Sequence, residues 1–128
     1  MPEVVVRTCV QDNALVIAMT GDLDVLTTPA CAEQVRDALA GRPPESSLVV
    51  LDLRRIDFCG SVGLRMLAEC AATCADEGLR VSVLAVPRGV VTRILELAGL
   101  ETLLPVVEDT TTGSKPSLRS LSWPRTAS

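Results

Sequence analysis

No histidine and no tyrosine occur in the 128 residues, and there is one Phe and one Trp. The first absence removes a class of chemistry, because neither a Ser-His-Asp triad nor a Cys-His pair can form within the chain. It also removes the commonest metal ligand, and the five cysteines do not replace it. Cys9, Cys31, Cys59, Cys70 and Cys74 are odd in number, scattered and without a CxxC spacing. They are expected to be reduced and mostly buried, with no metal site. Long apolar runs are missing too: Ala14 to Met19 falls far short of the roughly 20 residues that span a bilayer. Met1 to Arg7 lacks the basic segment and apolar run of a secretion signal. The net charge is −4 and the 12 basic residues form no stripe able to track a phosphate backbone, which argues against nucleic acid. The expectation is a soluble cytoplasmic protein with no membrane insertion and no cofactor.

What the chain does have is aliphatic material. Hydrophobic residues make up 48% of it and aromatics 2%, so the core must be layers of Val, Leu, Ile and Ala, enough for one domain of this length. Val4 to Val10 is rich in β-branched residues, Gln11-Asp12-Asn13 carries turn chemistry, and Ala14 to Thr20 is apolar on both faces; together they predict a hairpin whose second strand is central and whose first is an edge. Thr28-Pro29 reads as a cap and first helical position for a helix closed by Gly41. Leu48 to Leu53 is a second buried strand, Arg54 to Gly60 a loop, and Ser61 to Glu77 a helix with Leu64, Leu67, Ala68, Ala71, Cys74 and Ala75 on one face and Gly78 at its end. Val81 to Val86 reads as a strand, Val90 to Ala98 as a helix, and Leu103 to Val107 as a short strand or a helical turn. Strands separated by single helices favour parallel pairing. The fold class expected is therefore α/β, a mixed, mostly parallel sheet of four to five strands with an antiparallel N-terminal hairpin and helices packed on it. From Glu108 to Ser128 the composition shifts to Thr, Ser, Pro, Gly and Arg, which predicts a flexible tail in which Leu118, Leu121 and Trp123 have no assigned place.

Two elements stand out for function. Residues 50 to 64, VLDLRRIDFCGSVGL, pass from a buried strand through a glycine-containing loop to a serine at a helix start, and Gly21 to Asp24, GDLD, follows the second strand. Cys59-Gly60-Ser61-Val62-Gly63 is no nucleophile elbow, since that motif needs Gly two places before the serine, where Cys59 stands. Read alone, Ser61 is a helix cap and Asp22 and Asp24 are turn formers. No GxGxxG or GxxxxGK[ST] pattern supports a nucleotide site, and no enzyme is expected.

Over roughly residues 4 to 107 these elements resemble the STAS domain of anti-sigma-factor antagonists. The resemblance implies a STAS-like sandwich over 1–107, followed by the tail over 108–128. It implies a domain that binds an anti-sigma factor, commonly a serine kinase with a GHKL-type ATP site, and so frees a sigma factor. Phosphorylation of one serine switches such a domain off. The family motif reads Asp-Ser-Ser/Thr-Gly-Leu; on transfer the serine falls on Ser61, with Gly63 and Leu64 matching, while Gly60 stands in place of Asp and Val62 in place of the second hydroxyl residue. Gly21, Asp22, Asp24, Gly60, Ser61, Val62, Gly63 and Leu64 are then the expected partner-binding residues and Ser61 the phosphorylation site. The two departures keep open an alternative, a non-phosphorylated STAS assembly subunit such as an accessory of a lipid-transporting ABC system or a stress-signalling scaffold. Whether the chain forms a homodimer is left open.

Overall fold

Val4–Gln11 (β1) and Ala14–Leu23 (β2) pair antiparallel through a turn in which Asp12 takes a left-handed backbone, φ 56°, as short polar residues in hairpin turns do. The computed structural model describes residues 3–108, so the expected tail beyond Glu108 lies outside the described residues. The chain continues through Thr28–Ala40 (α1), Leu48–Cys59 (β3), Ser61–Asp76 (α2), Arg80–Ala85 (β4), Val90–Ala98 (α3) and Val106–Glu108 (β5). The sheet order is β1-β2-β3-β4-β5, with β2 to β5 mutually parallel. The mixed α/β sheet with one antiparallel hairpin is as expected, and the C-terminal segment resolves into a turn followed by β5.

Residues of α1 (Cys31, Val35, Leu39), α2 (Leu67, Ala71, Cys74) and α3 (Val91, Leu95) share one core with Leu15, Ile17 and Met19 of β2 and Val49, Leu51 and Leu53 of β3. Successive right-handed crossovers in an unreversed strand order place their helices on one side of the sheet, which accounts for that single core. Burying each such aliphatic side chain contributes roughly 1.5–3 kcal/mol. Alternate residues of the same strands, Ala14 and Val16 of β2, Val50 of β3 and Leu84 of β4, form a second, smaller cluster on the other face. This two-sided burial is why β2 and β3 lack the polar alternation of a half-exposed strand.

Local readings need correction in four places. Arg54 to Cys59 is strand, not loop. Only Gly60 separates β3 from α2, and it occupies the cap position, so Ser61 is the first helical residue and makes no capping bond. Thr27 rather than Thr28 is the cap position of α1, with Pro29 in the first turn. The buried stripe of α2 runs through Gly63, Met66, Leu67, Cys70, Ala71 and Cys74, whereas Ala75 is exposed.

Candidate functional site

β2 and β3 run past the last β3–β4 partners, Asp52 and Leu84. Beyond that point they continue together, with Thr20 opposite Arg55, Gly21 opposite Ile56, Asp22 opposite Phe58 and Leu23 opposite Cys59. The GDLD segment and the serine-bearing segment therefore meet as paired strand ends. Gly60 N–H closes the junction by donating to the Leu23 carbonyl at 2.9 Å.

The glycines make this edge possible. Gly21 lies at φ +121°, and a Cβ there would run into the Glu3 carbonyl oxygen; no residue with a side chain sits comfortably in that backbone region. Gly63 faces inward, and a Cβ on it would fall 2.6 Å from the Leu23 Cβ and 3.2 Å from the Cys59 Sγ. It lets the first turn of α2 lie directly on the end of β2, so it shapes the edge from beneath. Gly60 is different. A Cβ there would lie 3.3 Å from the Phe58 ring, and Phe58 is half exposed, so the aromatic ring occupies the flank on which an aspartate at position 60 would project.

Asp24 works as a turn former. Its Oδ1 accepts from the Leu26 and Thr27 backbone N–H groups, both at 2.9 Å, and its own N–H donates to Thr27 Oγ1 at 3.0 Å. The Thr27 hydroxyl in turn donates to the Asp22 carbonyl at 2.6 Å. The Thr27 backbone bond, with Leu26 and the Thr27 hydroxyl assisting, holds the Asp24 carboxyl below the ordinary aspartate range. Asp22, by contrast, is the next-to-last residue of β2, opposite Phe58, and its carboxylate has no hydrogen bond among the described residues. No cluster of His, Cys, Asp or Glu able to hold a metal occurs among the described residues.

Ser61 and Val62 are exposed, Gly63 is buried and Leu64 is half-buried, packed against the main core. A phosphate on Ser61 would sit at the positive end of the α2 dipole, where the backbone N–H groups of the first turn lack helical partners. Around it the same end of the sheet exposes Val25 (69%), Leu26 (79%), Phe58 (50%) and Val62 (38%). Exposed apolar residues gathered at one place mark contact surfaces. Of these, Val25, Leu26 and Phe58 escaped the sequence reading. The available signal was an apolar pair inside a turn, where no core periodicity calls for one, and the lone Phe of an aliphatic chain. Cys59, beside them, is buried and its thiol is pushed up to about 11 by that burial, so it offers no thiolate at neutral pH.

A sequentially ordered α/β sheet whose central parallel pair overhangs to present an exposed serine at a helix start defines a small domain with one distinctive edge. The chain belongs to the STAS domain family: the family model described as Mlab, STAS domain matches residues 6–106. Among curated proteins it is similar to the anti-sigma-F factor antagonist RsfB of Mycobacterium tuberculosis, 33% identical over 117 residues that cover 88% of this chain and 91% of RsfB. Among solved structures it is similar to an anti-sigma factor antagonist from Mycobacterium paratuberculosis, with 27% identity, a TM-score of 0.69 and coverage of 91% and 94% of the two chains. SpoIIAA in its unphosphorylated form shares the fold at 15% identity, with a TM-score of 0.66 over 92% of this chain and 99% of that one. No helix among the described residues is long and apolar enough to cross a membrane.

Proposed function

We propose that this STAS domain is an anti-sigma-factor antagonist that works in the cytoplasm and docks through the edge formed by Gly21 to Asp24 and Gly60 to Leu64. In this reading its partner is an anti-sigma factor with GHKL-type serine kinase activity, binding releases a sigma factor, and phosphorylation of Ser61 ends the interaction. The observation that carries the reading is the exposed Ser61 hydroxyl on the first turn of α2, on an edge ringed by exposed apolar side chains. Val25, Leu26, Phe58 and Val62 supply the area a partner would cover, and Asp22 supplies a free carboxylate. The names of the similar mycobacterial proteins support the same class.

The switch follows from charge. A phosphoserine carries about −1.5 to −2 charges. The helix start tolerates it in the free domain, but under a partner it must be desolvated. Only about 2.7 kcal/mol separates tight binding from binding 100-fold weaker. With the purified partner kinase, Ser61→Ala should bind like wild type in calorimetric titration and Ser61→Glu should bind at least about 100-fold more weakly. Equal affinities for the two variants would sink the switch.

A second reading, a STAS assembly subunit without a phosphoswitch, draws on Gly60 and Val62 and on the Mlab description of the matching family model. A Phe58 ring beside position 60 makes the edge more apolar than the family motif would. Affinity capture from the host lysate separates the two: a kinase held by wild type and lost by Ser61→Glu supports the antagonist, while transporter or scaffold subunits captured by both alike support assembly.

A further inference from the structure

The helix layer carries a recess of its own, below the serine edge. Because α1 and α2 each cross from one parallel strand to the next, they run side by side in the same direction. The Arg42–Glu77 ion pair at 2.9 Å, at the C-terminal ends of the two helices, sets them level there. Between them lies a cavity of about 450 Å³, a size typical of small-molecule sites. Its floor is apolar, made of Val35 and Leu39 of α1 and Met66 and Cys70 of α2, all buried. Left unfilled, a recess of this size forfeits the dispersion contacts that closely packed side chains make.

Its walls are charged. Arg36 stands on α1, and Glu69 and Asp76 stand on α2; none of the three forms an ion pair among the described residues. With the helices level at Arg42 and Glu77, Arg36 and Glu69 fall at similar heights on opposite walls and offset one another's charge across the groove. Asp76 lies at the base, where the neighbouring cation, Arg42, is already held by Glu77. Thr73, also in the lining, is one turn above Asp76 on the same helix face. The uncompensated charge of the groove is therefore negative and sits at its lower end. The surrounding field has the same sign, since nine basic and fifteen acidic residues leave −6 on residues 1–108, which draws cations to the domain.

We infer that this groove binds an aliphatic ammonium compound, with its head between Asp76 and the Thr73 hydroxyl and its chain running over Leu39, Cys70 and Val35 toward Met66. The helix from Asp76 up to Met66 rises about 15 Å, room for an alkyl chain of medium length. Met66, unbranched and adaptable, closes on chains that differ slightly in shape. A carboxylate head is disfavoured, because it would meet Asp76 and the acidic field with Arg36 already faced by Glu69.

Calorimetric titration of the full chain with decylamine, protonated at neutral pH and kept below its micelle threshold, tests the inference. Decylammonium should bind saturably with one site per domain, and decanoate, which has the same chain length and the opposite charge, at least about tenfold more weakly. Asp76→Asn should weaken decylammonium about tenfold, whereas Glu33→Gln, which removes an exposed carboxylate of α1 outside the groove, should leave its affinity unchanged. Thr73→Phe, at an exposed position, should fill the groove and abolish binding while the melting temperature stays that of wild type. Equal affinities for the two amphiphiles, equal losses in Asp76→Asn and Glu33→Gln, or uptake of many molecules without saturation would each overturn the inference. Sedimentation showing a dimer that Thr73→Phe dissociates would assign the groove to a second copy of the chain. No response to decylammonium, with α1 and α2 protected from deuterium exchange by an amphipathic Leu-Lys peptide instead, would assign it to a protein helix. Either result would overturn the inference as well.

Discussion

Single residues at the overhanging edge carry separable duties. Gly63→Ala forces a methyl group into Leu23 and Cys59, and overpacking of this kind costs about 1–3 kcal/mol. The melting temperature should fall by several degrees in differential scanning calorimetry, with weaker partner binding as a consequence of the displaced helix start. Asp24 acts through its charge. Its carboxyl is held below the ordinary value of 3.8 by the Thr27 and Leu26 bonds, so its contribution is present above that value and is lost as the pH falls through the depressed folded value. Wild type should therefore be more stable than Asp24→Asn at neutral pH, and denaturant midpoints of the two should converge under strongly acidic conditions. Equal midpoints at pH 7 would mean that the amide supports the turn as well as the carboxylate does. The role of Asp24 in the turn was legible from its position after a strand and before Thr-Pro. That Asp22 stays unengaged was not, because which of two nearby carboxylates caps a turn depends on where the Thr27 hydroxyl lies.

Among the elements, the two-sided apolar pattern of Ala14 to Met19 and Leu48 to Leu53 revealed the central strands at once, since a strand covered on both faces has nowhere to place polar residues. The same rule hid the second half of β3. Past Asp52 that strand pairs with β2 alone, so Arg54, Arg55, Asp57 and Phe58 can meet solvent while Ile56 and Cys59 remain buried. The spacing of three rather than two between those buried residues accompanies register shifts between Ala18 and Thr20 and between Gly21 and Asp22, and bulges of this kind erase the alternation that marks a strand. Likewise, Gly63 on the buried stripe of α2 looks like a weak helix former until its close contact with Leu23 is seen. The half-supported overhang should also be the first part of the sheet to open. Backbone amides of residues 55 to 59 are expected to exchange with deuterium faster than those of Val49 to Leu51, and exchange should slow when a partner covers the edge. Uniform protection along β3 would contradict that picture.

For the molecule as a whole, the near absence of aromatics throws the work of the core onto small aliphatic side chains and thiols. Cys31, Cys59, Cys70 and Cys74 are buried and Cys9 is partly so. Burial pushes the Cys31 and Cys59 thiols up to about 11; Cys70 is also raised, by its hydrogen bond to Cys74 and by burial. Mass spectrometry after brief alkylation of the native protein at pH 8 should find Cys9 modified first, with Cys31, Cys59 and Cys70 following only on unfolding.

The strand order β1-β2-β3-β4-β5 has a consequence for how the protein is made. Every strand pairs with the one before it in the chain, so none has to be inserted between two already joined, and loop closures stay short throughout folding. As the polypeptide leaves the ribosome it can grow its sheet from one margin outward, N-terminal strands first. Once Cys59 has emerged and found Leu23, the frame for the serine edge can stand before the whole of the helix that bears Ser61 has left the ribosome.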